Sequence, residues 1–342
     1  MRALTFQKAA SADNAVQAAL AAAPQAGVAA TAAPGQFIAG GTTILDLMKL
    51  DVMRPQTLID INPIGPGAND GIEVTAAGIR FDALVRMSRA AEHPAILRDY
   101  PVIAQSLQLA ASAQVRNMAS LGGNVLQRTR CEYFRHTCWG ACNKRDPGSG
   151  CAALEGVNRQ HAILGASADC IATYPGDFAQ ALIALDATLE IAGAQVKRTI
   201  PFSELHRPPG NTPHIETTLA PGELITAIFV PAGSWTRRSR YLKIRDRDSY
   251  QFALASTAVA LDLDAGIVRE ARIALGGMAT VPWRSKAAEA VLKGKKLDEA
   301  AARAAGEAAF GGAQTREHNL YKVSLGRRTL ERALLETASM EI

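Results

Sequence analysis

The chain has 342 residues, 48% hydrophobic and 20% charged, the make-up of a water-soluble globular protein of about two domains. Its formal net charge of +5 comes without a single-sign run or a basic arm, which excludes nucleic acid as the first reading of its partner. Five cysteines, clustered in one third of the chain, exclude a disulfide scaffold and point to thiol or metal chemistry in a reducing compartment.

The start predicts a strand at 3–6 and a helix capped by Asp13, with Val16 and Leu20 on its buried side. The Ala-rich stretch 15–33 is interrupted by Pro24 and Gly27 and lacks large aliphatic residues, so it reads as neither a membrane span nor a signal peptide. The expected compartment is therefore the cytoplasm unless a partner carries the chain elsewhere. A short strand at 36–38 runs into a glycine loop, a helix over 44–50 and a strand at 57–61. A hairpin follows at 72–75 and 78–81, then helices over 82–91 and 101–113.

From 128 to 152 the periodicity fails, and a segment of that length without regular structure is usually functional or disordered. The four cysteines inside it argue against disorder. Strands are expected at 161–164 and 170–173, a helix over 177–185 with Asp177 as its N-cap, a hairpin-like pair at 187–191 and 196–200, and a strand at 224–230. After a boundary near 231–237 a strand presents Lys243, Arg245 and Arg247 on one face. Long strands at 252–263 and 267–275 and helices over 284–292, 298–309 and 319–337 complete the chain.

Two loops pair glycines with hydroxyl or amide side chains: Ala39-Gly40-Gly41-Thr42-Thr43 and Ser120-Leu121-Gly122-Gly123-Asn124. Such loops suit a pyrophosphate, though each pair also reads as a tight turn or a helix cap. No Walker A loop and no Gly-x-Gly-x-x-Gly fingerprint occurs, which disfavours a nicotinamide-binding domain. Cys131, Cys138, Cys142 and Cys151 are separated by six, three and eight residues, with Cys170 eighteen further on. Zinc sites usually show Cys-x-x-Cys knuckles, absent here, whereas loops that wrap iron–sulfur clusters accept looser spacing. Spacing alone leaves a cluster, zinc and structural thiols open. Arg128, Arg130, Arg135, Lys144 and Arg145 stand among the cysteines, where positive charge would stabilise thiolates. His136 reads as a loop histidine. No Ser-His-Asp set or carboxylate pair suggests catalysis by this chain itself.

The stretches Phe37-Ile38-Ala39-Gly40-Gly41-Thr42 and Arg116-Asn117-Met118-Ala119-Ser120-Leu121-Gly122-Gly123-Asn124 resemble the two FAD-pyrophosphate loops of the molybdenum hydroxylase flavoproteins. That family includes the FAD domains or subunits of xanthine dehydrogenases, carbon monoxide dehydrogenases and aldehyde oxidoreductases. The runs Gln127-Arg128-Thr129-Arg130-Cys131, Cys142-Asn143-Lys144-Arg145 and Pro147-Gly148-Ser149-Gly150-Cys151 are more specific. They resemble the FAD subunit of bacterial periplasmic-type aldehyde oxidoreductases, which carries an additional [4Fe-4S] cluster.

The resemblance implies an α+β fold. An FAD-binding PCMH/vanillyl-alcohol-oxidase-type domain would span 1–232, with a cluster-binding loop at 128–170. A smaller α+β domain of the CO dehydrogenase flavoprotein C-terminal type would span 237–342. FAD would be held by Gln36, Phe37, Ile38, Ala39, Gly40, Gly41, Thr42, Thr43 and Ile44, by Ser120, Gly123 and Asn124, and by Asp177, Leu224 and Lys243. The cluster ligands would be Cys131, Cys142, Cys151 and Cys170, leaving Cys138 spare. The implied role is electron transfer, with no catalytic residue on this chain. Aldehyde oxidation would occur on a molybdenum-cofactor large subunit, and electrons would pass through a [2Fe-2S] small subunit to FAD and an external acceptor. A subunit of this kind can reach the periplasm by co-export with a partner. The rival within the family is a subunit like those of hydroxybenzoyl-CoA reductase or xanthine dehydrogenase. The rival of another class is a non-redox binding protein with a structural zinc.

Overall fold

Parallel strands need a crossover connection, and the start of the chain supplies two. The computed structural model describes residues 2–22, 29–67 and 70–342, so residues 23–28 of the Ala-rich stretch, Pro24 and Gly27 included, lie outside the described residues. Strand β1 (Thr5–Lys8), helix α1 (Ala12–Ala21), strand β2 (Gly35–Ile38), helix α2 (Ile44–Lys49) and strand β3 (Thr57–Asp60) build a three-stranded parallel sheet in the order β1-β3-β2. Helix α1 is capped by Ser11, whose Oγ accepts from the Asn14 amide at 3.0 Å, and not by Asp13 as expected. Both residue types can cap, and Asp13 falls one residue inside the first turn. Strand alternation sends Ile38 into the core with Leu47 and Met48 while Phe37 faces the opposite side. The first glycine loop therefore leaves the carboxyl end of a parallel strand, where open α/β sheets bind their ligands.

An antiparallel sheet follows. Strands β4 (Ile72–Thr75) and β5 (Gly78–Asp82) form the expected hairpin. The two helices expected over 82–91 and 101–113 are four: α3 (Met87–Glu92), α4 (Pro94–Asp99), α5 (Pro101–Gln108) and α6 (Ala113–Met118). Pro94 and Pro101 each begin a new helix, because the residue before a proline is kept out of the helical region. Short helices α7 (Leu121–Val125) and α8 (Glu132–Arg135) flank the start of the cysteine segment. Helix α9 (Phe178–Ala184) is buried on every side, its single polar side chain, Gln180, donating to the Gly176 carbonyl. Strands β6 (Thr188–Ala192), β7 (Lys197–Pro201) and β8 (Leu224–Pro231) complete a sheet ordered β4-β5-β8-β6-β7. The strands expected at 161–164 and 170–173 do not form. Only Ala162 N–H reaches Ile171 O, while the amides of Ile163 and Leu164 go to the Met278 carbonyl instead.

The remainder is a four-stranded sheet under helices: β9 (Ser239–Ile244), β10 (Ala255–Asp264), β11 (Ile267–Gly276) and β12 (Trp283–Arg284), with α10 (Lys286–Leu292), α11 (Glu299–Ala309) and α12 (Tyr321–Ala338). Strand β9 ends before Arg247, so the expected three-residue basic face is only partly real. Lys243 and Arg245 both donate to the Leu109 carbonyl, whereas Arg247 reaches the Tyr250 carbonyl in the following loop. Strand β10 has two buried faces. Ala258 and Ala260 join the core of the antiparallel sheet and α9, and Val259 and Leu261 pack with Leu330 and Leu334 of α12. The small residues on the first face let the two sheets share one core. Among the described residues no helix is long and apolar enough to cross a membrane.

Candidate functional site

The two glycine loops meet. Gly41 holds a left-handed backbone at φ 75°, a conformation natural to glycine. A Cβ on Gly40 would collide with the Met118 carbonyl, so only glycine lets the first loop lie against the approach to the second. The second loop is pinned from behind: Gly122 N–H donates to the Ala83 carbonyl at 2.7 Å, and Ser120 Oγ accepts from the Gly123 amide at 3.2 Å, capping α7. Between the loops lies a cleft of about 220 Å³. It shares Gln36, Phe37, Leu126 and Arg128 with a larger cleft of about 480 Å³ that continues past Lys144, Tyr174, His206, His214 and Glu216. The amides of Gly41, Thr42 and Thr43 have no acceptor among the described residues. They are donors available to an anion.

Of the residues expected to hold FAD, Gln36, Phe37, Ala39, Gly40, Gly41, Thr42, Thr43, Ile44, Ser120, Gly123 and Leu224 line the first cleft. Ile38 points into the core. Asn124 lies behind the wall, with Nδ2 on Met87 Sδ at 3.3 Å and a buried Oδ1 that has no partner. Asp177 and Lys243 stand off both clefts and pair with each other at 2.7 Å, joining α9 to β9. Asp177 occupies the N-cap position of α9 but makes no capping bond. Its carboxylate instead accepts from Lys243 and, at 2.6 Å, from the Tyr241 hydroxyl. Burial pushes the Asp177 carboxyl up, and Lys243 opposes that shift.

Behind the clefts the cysteine segment folds on itself. Cys142 and Cys151 face each other in an isolated antiparallel bridge, with Asn143 N–H donating to the Gly150 carbonyl at 2.7 Å and Gly150 N–H to Asn143 Oδ1 at 2.8 Å. Gly148 and Gly150, at φ 86° and 93°, supply the tight return. Cys131, Cys142, Cys151 and Cys170 all line one closed cavity of about 10 Å³, with Phe134 and Lys144 in its wall. Cys138 is exposed and is not among the residues that line it. Burial pushes the Cys131 thiol up to about 12 and the Cys170 thiol up to about 11, and raises Cys142 as well. Among the described residues no three histidine, cysteine or acidic side chains are close enough to share one metal ion.

The surrounding positive charge is largely spoken for, contrary to the expected thiolate-stabilising field. Asp46 takes Arg130 at 2.9 Å and Arg135 at 2.8 Å. Glu216 takes Arg128 at 2.5 Å and Lys144 at 2.9 Å. Arg145 donates to the carbonyls of Tyr133, Phe134 and Trp139. Arg145 and Lys144 still pull the Cys142 and Cys170 thiols downward, but burial outweighs them. Two features had no signal in the spacing of motifs. Glu216 is a single acid in a polar loop. His161 falls in a segment that reads as a strand, yet its Nε2 lies 3.2 Å from Cys131 Sγ.

Comparison with known proteins adds the following. The family model described as the FAD binding domain in molybdopterin dehydrogenase matches residues 4–233, and that of the CO dehydrogenase flavoprotein C-terminal domain matches residues 240–337. The chain is 47% identical to the aldehyde oxidoreductase FAD-binding subunit PaoB of Escherichia coli (strain K12) over 315 residues, covering 91% of this chain and 94% of that protein. It is 25% identical to the carbon monoxide dehydrogenase medium chain of Hydrogenophaga pseudoflava, over 87% of this chain and 88% of that one. Among solved structures, the reconstituted CO dehydrogenase from Oligotropha carboxidovorans superposes with a TM-score of 0.75 at 20% identity, over 99% of both chains. Quinoline 2-oxidoreductase from Pseudomonas putida 86 gives 0.72 at 22%, over 98% of this chain and 97% of that chain. The last two likenesses concern the fold.

Two outcomes follow from the buried charges. Asp177→Ala strands the Lys243 ammonium, and urea unfolding should show a loss of about 3–5 kcal/mol, much of it recovered by adding Lys243→Met. Burial alone would raise the Glu216 carboxyl, yet Arg128 and Lys144 hold it below its ordinary value. Its stabilising contribution is present above the usual carboxylate range and lost as pH falls through the lowered folded value. Glu216→Gln should therefore flatten the fall of Tm below about pH 5, while lowering Tm near neutrality.

Proposed function

The chain belongs to the molybdopterin dehydrogenase FAD-binding family and is an oxidoreductase subunit; from that premise we propose that it is the flavin-carrying medium subunit of a molybdenum-dependent aldehyde oxidoreductase, with a [4Fe-4S] cluster on its cysteine loop. In this reading residues 1–232 form the FAD domain and residues 237–342 the C-terminal domain. A molybdenum-cofactor large subunit oxidises the aldehyde, and a [2Fe-2S] small subunit passes the electrons here for delivery to an external acceptor. The five free cysteines suit assembly in a reducing cytoplasm, from which a partner's export signal could carry the folded complex.

One observation carries the reading: a cleft between two glycine loops runs into a larger cleft that shares Lys144 and Ala172 with a cavity lined by four thiols. Lys144 borders both the larger cleft and the cavity, and Arg128, on the cleft wall, stacks over the Phe134 ring at 4.8 Å. Bound FAD supplies the capacity to take up and release electrons singly or in pairs. The residues of the chain bind and shield. The amides of Gly41, Thr42 and Thr43, with the Ser120 hydroxyl, suit pyrophosphate oxygens, while Phe37, Leu126 and Leu224 offer apolar walls that keep water from a ring. Asp177 and Lys243 fix the approach of the C-terminal sheet that closes this side of the domain. Four thiolates are the usual ligand set of such a cluster. Cys131, Cys142, Cys151 and Cys170, which share the cavity, would hold such a cluster as thiolates, each giving up its proton. A single zinc would need each sulfur at about 2.3 Å from one point, a convergence that these side chains do not have.

Two experiments test the assignments. Gly40→Ala forces the loops apart, and the purified protein should lose most of its flavin absorbance near 450 nm per polypeptide while its circular dichroism is unchanged. Cys131→Ser, Cys142→Ser, Cys151→Ser and Cys170→Ser should each lower iron per polypeptide in the anaerobically purified complex, and Cys138→Ser should not. Equal iron loss from Cys138→Ser would overturn the ligand set, and a complex with flavin but no iron beyond that of the [2Fe-2S] subunit would remove the cluster.

A further inference from the structure

We infer that His161 is a positioning residue for the cysteine centre: its Nε2–H is donated to Cys131 Sγ and raises the reduction potential of the cluster bound there. This rests on the cluster reading above.

The geometry leaves the imidazole one role. Its Nε2 is 3.2 Å from Cys131 Sγ, while its Nδ1 is buried and has no partner among the described residues. A neutral imidazole has one N–H, and a ligated cysteine sulfur carries no proton and can only accept. The proton therefore resides on Nε2 and points at the sulfur.

The ring is also fixed from several directions. His161 N–H donates to the Asn158 carbonyl at 3.0 Å, and Asn158 Oδ1 accepts from the His318 amide at 3.2 Å. Next door, the fully buried Lys322 of α12 donates to the Gln160 carbonyl at 3.1 Å and to the Gly277 carbonyl at 2.7 Å. Tyr321 OH donates to the Arg159 carbonyl at 3.0 Å. Three consecutive residues that lead into the imidazole, 158–160, are thus tied to the start of α12.

Hydrogen bonds to the sulfurs are among the determinants of cluster potential. A donor favours the more electron-rich form because that form places more negative charge on sulfur. Arg130, the cation nearest in sequence to Cys131, is engaged by Asp46, so His161 is the side-chain donor aimed at this sulfur, beside the backbone amides of Tyr133 and Phe134. The transfer it influences moves one electron, and the proton stays on Nε2.

The test uses the intact complex, purified anaerobically, with His161→Leu and His161→Gln. An iron–sulfur signal followed by EPR through a redox titration gives the midpoint potential, and iron per polypeptide is measured in parallel. His161→Leu should keep its iron and shift the cluster potential to more negative values, with the flavin potential unmoved. His161→Gln, whose amide can donate to the same sulfur, should stay close to wild type in both. If His161→Leu sheds iron while His161→Gln keeps iron and potential, the donor role also stands. A loaded His161→Leu complex with an unchanged or more positive potential overturns the inference. So does a His161→Gln potential displaced as far as that of His161→Leu, or equal iron loss from both variants. Wild-type complex with flavin but with no iron beyond that of the [2Fe-2S] subunit would remove the cluster reading itself and is distinguished at once from these outcomes.

Discussion

A covered stretch of backbone has to pair its N–H and C=O groups, and residues 128–176 must do so with almost no helix or strand of their own. That requirement shapes the molecule around the cysteines. Arg145 turns inward to serve three carbonyls, Asn143 closes the Cys142–Cys151 return, and Thr129 Oγ1 donates to the Thr173 carbonyl at 2.9 Å. The remaining partners come from the C-terminal half: the Met278 carbonyl for Ile163 and Leu164, and Lys322 for Gln160. The loop is ordered because both halves of the chain complete its hydrogen bonds. Its order is therefore a tertiary property.

The same economy governs charge. Five basic side chains crowd the segment, and leaving them unpaired in partial burial would be costly. Two acids resolve it, Asp46 from α2 and Glu216 from the polar loop before β8, each bridging two cations. Asp46 belongs to the helix that follows the first glycine loop, so the ion pairs that settle the cysteine segment also hold it against the cleft. Cleft and cavity are neighbours through these pairs and through Phe134, whose ring is buried under Arg128.

How much of this could be read in advance depends on whether the signal is local. The glycine loops were legible because a left-handed turn at Gly41 and a backbone contact at Gly40 admit little else. Hairpins and buried helices declared themselves by period. The cap of α1 was misassigned because Ser11 and Asp13 are both capable and lie two residues apart. The helices between 82 and 118 were merged because their breaks come from prolines inside an otherwise helical pattern. Asp177 reads locally as a helix N-cap and Lys243 as part of a basic strand face, and their mutual pairing has no local signal because it joins the start of α9 to β9 across 66 residues. Lys322 did carry a signal: it extends the buried stripe of Gly326, Thr329, Leu330, Ala333 and Thr337 backward by one turn. A lysine on such a stripe announces that something inside must accept its protons. Nothing local says which carbonyls do.

Those carbonyls lie 162 and 45 residues away in sequence, which bears on what the cysteine segment can be. A binding loop made only of local contacts could fold and function alone, but this one takes its final shape only when α12 has docked. With four of the cations engaged by Asp46 and Glu216, the electrostatic setting of the four sulfurs depends also on weaker, directional groups: backbone amides and the His161 N–H. The imidazole is fixed by the junction between residues 158–161 and α12. The C-terminal helices are remote from both glycine loops, and they act on the candidate centre by holding that junction closed.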